Sequence, residues 1–377
     1  METKSYPGEH LIRLVSFRQA VYEEGLTRRR DAQMELLDAL LLDGPFHTFP
    51  EISLSPFFRR KWPSLYDAVE EGKQDRERLT ALLIEQLPET PVLLFSLDTT
   101  GWPRPRARTL PDRQYVHGPL PGTQRSGILV GLLYSLLAYV PEPHTSWALP
   151  VSTKRVPADR TAVEVGVEQV LMVSRLLATR QPGSLPVFVG DGRYGNHRFL
   201  HPLRNLPLGG VLVRLRRDRV FYREPGPYSG RGRPRRHGKR FAFKEPETWG
   251  EPDWALCWVD GRWGKVEVMV WHRLHPRQAY DLPLTVVRIR AHLEREKPPP
   301  PCGWPGWGQS RRMGGSFFTG TTTGGRSSRP SISASGSWAG SSPDSRTSFP
   351  GKSNTRTFPH SGRNLDLQPL SVNLDVS

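Results

Sequence analysis

Two aspartates of this chain stand where a metal-binding carboxylate could be held rigidly. Asp98 follows the apolar run of residues 92–97, and Asp191 follows residues 185–190. Both runs have the length and composition of buried strands, so the pattern places each aspartate at a strand end. There the backbone is fixed while the carboxylate, a preferred ligand of Mg²⁺ and Mn²⁺, is exposed. The two residues are therefore candidate ligands of divalent cations.

Such a pair suits one kind of chemistry in particular. Two cations about 3.5–4 Å apart can activate a nucleophile and stabilise a leaving oxygen during phosphodiester cleavage, and several carboxylates are needed to neutralise them. The alternative is that an aspartate at a strand end caps the following helix or turn and binds no metal. The residue pattern alone leaves both interpretations open.

The composition favours a polyanionic partner. Lys and Arg number 53 against 37 Asp and Glu, which gives a formal net charge of +16. Phosphate contacts would explain such an excess. The longest apolar run, residues 127–140, is too short to span a bilayer, so no membrane partner is predicted. Because no secretory signal is visible, we expect a cytoplasmic, nucleoid-associated protein. Cys257 and Cys302 lack partners at ligand spacing and are predicted to be reduced thiols.

The pattern along the chain predicts an α/β fold with three parts. Residues 1–90 form a helical N-terminal region, with helical spacing over 17–42 and 65–87. Residues 91–296 form the core, in which strands flank a helix at 162–179 and a β-rich insertion occupies about 217–275. Residues 297–377 contain no Glu, are rich in Ser, Gly, Thr and Pro, and are predicted to be a disordered tail.

Two basic clusters in the N-terminal region are candidates for recognising DNA ends. They consist of Arg28, Arg29, Arg30, Arg59, Arg60 and Lys61. The alternative is a solvated helix face without a partner.

An arginine- and glycine-rich segment within the insertion is the strongest candidate for DNA contact. Its basic residues are Arg231, Arg233, Arg235, Arg236, Lys239 and Arg240. An extended Arg-Gly-Arg-Pro core is typical of an AT-hook, which lies in a narrow minor groove. A flexible loop that contacts phosphates only is the alternative. Five tryptophans follow, which either stack on unpaired bases or form core: Trp249, Trp254, Trp258, Trp263 and Trp271.

The residues around the two aspartates resemble a known family. Ser96-Leu97-Asp98-Thr99-Thr100-Gly101-Trp102-Pro103 and Val189-Gly190-Asp191-Gly192-Arg193-Tyr194-Gly195-Asn196 are similar to the first and second acidic motifs of DDE transposases of bacterial insertion sequences. Residues 115–118, 214–218 and 232–238 look like further blocks of that family in the same order. The resemblance runs from about residue 57 to residue 300.

This resemblance implies a fold, a reaction and partners. The fold is a ribonuclease H-like mixed sheet flanked by helices, and the reaction is metal-dependent DNA cleavage and strand transfer. Asp98 and Asp191 would be catalytic and would bind two Mg²⁺ or Mn²⁺ ions. The partners would be double-stranded DNA at the terminal repeats and at the target. The resemblance also allows a homodimer on DNA. Four nearby cations either hold phosphates or are surface charges: Arg104, Arg106, His117 and Arg193.

The third acidic residue of the family is missing from its expected place. The family carries a Glu on a helix after the insertion, whereas Glu294 and Glu296 precede that place and no Glu follows them. The codons of this stretch can also be read in a shifted frame that starts two nucleotides into each codon. In that frame, the nucleotides of residues 302–308 permit Leu-Trp-Leu-Ala-Trp-Leu-Gly, which resembles the family's continuation. Our hypothesis is a frameshift in the proline codons of residues 298–301, which makes the residues from about Cys302 onward out-of-frame translation and leaves the chain inactive. The alternative is a DNA-binding transposase remnant without catalysis.

Overall fold

The chain adopts the mixed α/β fold that the sequence predicts. The computed structural model describes residues 7–120, 125–141, 147–228, 230–260, 264–292 and 370–376. A helical region precedes a sheet of twelve strands, and this sheet positions both aspartates of the candidate pair.

The N-terminal region is helical, with two breaks. Its elements are α1 (Pro7–Ala20), a π-helical turn (Val21–Gly25), β1 (Leu26–Arg28), α2 (Arg30–Leu42), α3 (Phe49–Ile52), α4 (Trp62–Glu70), β2 (Lys73–Gln74) and α5 (Arg76–Glu85). The helical spacing over 17–42 and 65–87 is interrupted where the short strands β1 and β2 pair with each other. Each break contains a glycine in a tight contact. A Cβ on Gly25 would lie 2.3 Å from Leu79, and one on Gly72 would lie 2.0 Å from the Ala68 carbonyl oxygen.

Five strands and one long helix form the core. They are β3 (Val92–Pro103), β5 (Ser126–Tyr139), β6 (Leu149–Val156), α6 (Ala162–Arg180), β7 (Leu185–Gly190) and β8 (Gly210–Arg214). The strand order is β6-β5-β3-β7-β8, in which β5 is antiparallel to both neighbours while β7 and β8 run parallel to β3. Strand β4 (Gln114–Pro119) pairs with the first half of β5, and α7 (His197–Leu200) lies between β7 and β8. This mixed order is the predicted ribonuclease H-like core.

Helix α6 covers one face of this sheet. Its N-cap residue is Thr161, which forms a capping box with Glu164. Its buried side chains join Leu93 and Phe95 of β3 in the main hydrophobic cluster. Because side chains alternate along a strand, Asp98 projects from the face opposite α6.

The insertion is β-rich, as predicted. Its strands are β9 (Val220–Tyr222), β10 (Arg240–Ala242), β11 (Trp254–Asp260) and β12 (Gly264–Pro276), followed by β13 (Leu284–His292). Trp249 and Trp271 pack against each other and against Phe241, so these two tryptophans are core residues. Trp254 is exposed, and Trp263 lies outside the described residues.

The last described residues depart from the disorder predicted for residues 297–377. Leu370–Val376 forms β14, which lies between β13 and β8 and runs parallel to both. The sequence Leu-Ser-Val-Asn-Leu-Asp-Val alternates strictly between apolar and polar residues, a period-2 pattern that the prediction overlooked. Residues 293–369 and 377 of the predicted tail lie outside the described residues.

Replacing Val372 with Pro should destabilise the sheet. Proline removes a backbone donor from a strand that has a partner on each side, so we expect the free energy of unfolding to fall by about 2–4 kcal/mol. Urea denaturation measures this change. Val372→Thr, which keeps the backbone N–H, is the control. Equal stability of the two variants would show that β14 does not belong to the sheet.

Candidate functional site

Asp98 lies within a strand and not at its end, which corrects the sequence-based expectation. Strand β3 continues to Pro103 because β5 pairs with it over its whole second half, up to the pair Pro103–Gly131. On the other side of β3, the parallel pairing with β7 stops at Leu97, which lies opposite Gly190. Asp98 is thus the first residue of β3 beyond that pairing.

Asp191 begins the turn that follows β7. Its Oδ1 accepts a hydrogen bond from the backbone N–H of Arg193 at 2.9 Å, and its carbonyl oxygen accepts one from Tyr194 N–H at 3.1 Å. The side-chain amide of Asn196 donates to the Arg193 carbonyl oxygen at 2.6 Å and closes the turn. These bonds fix the aspartate by local geometry, as the capping interpretation expects, and they leave the carboxylate exposed.

The register places the backbones of the two aspartates next to each other where the β3–β7 pairing ends. Leu97 lies opposite Gly190, so Asp98 and Asp191 occupy the next position on each chain. Neighbouring strands are about 4.8 Å apart. Both aspartates are exposed. Two carboxylates at this spacing can approach a shared cation.

The charges of both aspartates affect the pKa of one buried side chain, that of Tyr194. The pKa of Tyr194 is raised, chiefly because burial disfavours the phenolate, and the charges of Asp98 and Asp191 raise it further. The Tyr194 phenol therefore stays protonated at neutral pH, and the charges of both carboxylates raise the pKa of this one buried group.

The residues present supply part of a metal site. Asp98 and Asp191 offer the hard oxygen donors that Mg²⁺ prefers. No group of three or more His, Cys, Asp or Glu suited to a metal occurs within the described part of the chain. Glu294 and Glu296 lie outside it. The pair thus fits two ligands of a larger carboxylate set.

Most arginines of the two N-terminal basic clusters form ion pairs, with three carboxylates between them. Arg28 and Arg29 both contact Glu71, at 2.9 Å and 2.8 Å. In the second cluster, Arg59 contacts Glu35 at 3.0 Å and Arg60 contacts Asp31 at 3.1 Å. These contacts give most of the clustered arginines a structural role within the helical region.

The arginine-rich segment is exposed but not uniformly extended. Gly232 has a φ of 80°, so the Arg-Gly-Arg-Pro core bends at this glycine. Arg236 lies over the ring of Tyr280 at 4.9 Å, and Arg240 pairs with Glu245. Among the six candidates, these two arginines thus make contacts within the protein. Of the cations near the acidic motifs, Arg104 stacks on Trp102 at 3.6 Å.

A cleft with cationic walls, which the sequence analysis did not identify, opens beside Asp191. It has a volume of about 480 Å³ and is bounded by three turns that are distant in sequence. Its basic residues are Arg193, Arg214, Arg216, Arg217 and Lys244. Only Arg193 was among the predicted phosphate-binding cations, because no local pattern brings the three turns together.

A ribonuclease H-like sheet with two aspartates at adjacent positions of β3 and the turn after β7 defines a candidate nuclease-type site. A family model described as DDE superfamily endonuclease matches residues 21–277. The chain belongs to this family, which confirms the resemblance seen in its acidic motifs. The match covers the N-terminal helices from the π-helical turn onward, the core strands β3 to β8 and the insertion through β12. No curated protein matches the chain. Among the described residues, no helix has the length and apolar character needed to cross a membrane.

Replacing Gly195 with Ala should disturb the turn that holds Asp191. A Cβ at this position would lie 2.3 Å from the Arg214 carbonyl oxygen, so the turn would have to move away from β8. We expect a loss of about 1–3 kcal/mol in the free energy of unfolding, measured by urea denaturation. Gly183→Ala is the control, because a Cβ there meets nothing within 4 Å. Equal losses in both variants would contradict the close packing of this turn.

Proposed function

We propose that this chain derives from a transposase of an insertion sequence, whose Asp98 and Asp191 bind two Mg²⁺ or Mn²⁺ ions for DNA cleavage and strand transfer. The observation that carries the proposal is the register of β3 and β7, in which Leu97 lies opposite Gly190 and the next residue of each chain is an aspartate. Family membership supports an endonuclease or transposase activity on DNA. When bound, the ions would activate the attacking hydroxyl and stabilise the leaving oxygen.

In this proposal the two aspartates hold the metal ions and do not form a covalent intermediate. Their backbones are fixed, Asp98 by strand pairing on β3 and Asp191 by its turn, so little ordering is needed when metal binds. The net charge of +16 favours association with DNA in the cytoplasm. The bent, exposed segment with Arg231, Arg233 and Arg235 would add further DNA contacts.

The same proposal includes a loss of catalysis in this chain. Two carboxylates neutralise two divalent ions poorly, and a third is needed for the full set. Glu294 and Glu296 precede the place of the family's third acid, and a frameshift in the codons of residues 298–301 explains why none follows. The chain would then bind DNA without cleaving it, which is the remnant function considered from the sequence.

Metal binding tests the aspartate pair independently of catalysis. We expect Asp98→Asn and Asp191→Asn each to weaken Mn²⁺ binding about tenfold or more, because each removes a negative charge from the ligand set. Isothermal titration measures the affinity. Asp43→Asn, an exposed aspartate of the helical region, is the control. The assignment of both aspartates as ligands is wrong if all three variants bind Mn²⁺ as the unaltered chain does.

Restoring the reading frame tests the lost catalysis. Sequencing the gene from codon 290 to codon 377 shows whether the alternative frame is open and encodes a helix with a glutamate. If so, the frame-restored protein should nick DNA in Mg²⁺, whereas the unrestored chain should nick no faster than an Asp98→Asn variant of the restored protein. Stop codons in that frame, or equal nicking by the unrestored chain, would contradict the hypothesis.

A further inference from the structure

The cleft beside Asp191 has an excess of positive charge, because five cations and two carboxylates, Asp191 and Asp218, line it. The side chains of Arg193, Arg216, Arg217 and Lys244 are exposed, and none of them forms an ion pair with a described carboxylate. The arginines of the N-terminal clusters differ, since most of them contact Glu or Asp. Because the cations outnumber the carboxylates, an anionic occupant would reduce the repulsion among them.

The walls of the cleft are rigid because each is a hydrogen-bonded turn. The Asp191 turn is closed by the bonds described above. The second turn is closed by Arg219 N–H donating to the Arg216 carbonyl oxygen at 3.1 Å. The third carries Lys244 and is joined to the second, since Phe243 N–H donates to the Arg219 carbonyl oxygen at 3.1 Å. The backbone positions of the four cations are thus set before any ligand binds.

The chemistry of the walls fits a phosphate backbone better than nucleobases. Arginine and lysine donate to phosphate oxygens, and both residue types line the cleft. Among the described residues no aromatic side chain lines it, so none of them offers a base a stacking partner there. Asp191 belongs to the wall itself, so a phosphate in the cleft would lie next to the carboxylate pair.

We propose that this cleft binds the phosphates of the DNA strand adjoining the phosphodiester at Asp98 and Asp191, with Arg216, Arg217 and Lys244 as the contacting residues. The identification of the strand as DNA rests on the proposed function. The strand runs from the aspartate pair toward the turns after β8 and β10. These contacts position the substrate and carry no sequence information.

The salt dependence of DNA binding tests this proposal. The full chain is titrated against a fluorescent duplex of random sequence, about three helical turns long, at several NaCl concentrations. Each phosphate contact contributes a slope of about −0.9 to log K against log salt. We expect Arg216→Gln/Arg217→Gln to make the slope shallower by about 1.8, and Lys244→Gln by about 0.9.

Two further variants test whether a change in slope comes from the charges in the cleft. Arg175→Gln removes an exposed arginine of α6, on the other face of the sheet, and should leave the slope unchanged. Arg216→Lys/Arg217→Lys keeps both charges and should retain most of the slope. Melting temperatures are compared for all variants. If the Gln double variant melts early, Lys244→Gln and the Lys double variant decide the result.

The result of the salt titration can be distinguished from the result of the metal-binding test. An unchanged slope in the cleft variants, a loss equal to that of Arg175→Gln, or no salt-dependent binding by the unaltered chain overturns the cleft assignment. A slope change seen with an RNA duplex but not with DNA overturns the assignment to DNA. If the slope falls as expected while Asp98→Asn leaves Mn²⁺ binding unchanged, the cleft assignment stands and the metal site does not.

Discussion

The site depends on the parallel pairing of β3 with β7 in one particular register. Because Leu97 lies opposite Gly190, the next residue of each chain is an aspartate, and the two backbones are adjacent. A shift of the register by one residue would move the two aspartates out of line with each other. The register is secured by the buried side, where Phe95 stacks on Phe188 with ring centroids 5.3 Å apart. Core packing therefore fixes the relative position of the two aspartates.

The basic residues of the cleft and those of the helical region differ in whether they form ion pairs. Beside Asp191, cations lie in a cleft formed by turns and remain exposed, whereas arginines of the helical region contact carboxylates of their own region. Surface ion pairs add little stability, but they do reduce the charge available to a polyanion. The strong positive charge of the sequence is thus a weak guide to where DNA binds, and ion pairing in the fold separates structural arginines from candidate contacts.

The sequence predicts the local features well and the long-range ones poorly. Apolar runs locate β3, β7 and α6, and the acidic motifs alone identify Asp98 and Asp191 as the candidate pair. The breaks at Gly25 and Gly72 were missed because each depends on a tertiary contact. The extension of β3 beyond Asp98 depends on β5, and the cleft depends on turns that meet only in the folded chain. Strand β14 was not predicted, although its apolar and polar residues alternate, because the sequence before it is of low complexity.

Strand β14 lies between β13 and β8, so residues 370–376, which the frameshift hypothesis assigns to the out-of-frame tail, belong to the sheet. In another part of that sheet, we propose that Asp98 and Asp191 share cations. Anomalous diffraction from crystals soaked in Mn²⁺ shows whether they do. We expect a peak within coordination distance of carboxylate oxygens from both Asp98 and Asp191. A peak bound elsewhere, or side chains that point away from each other around no peak, would contradict it.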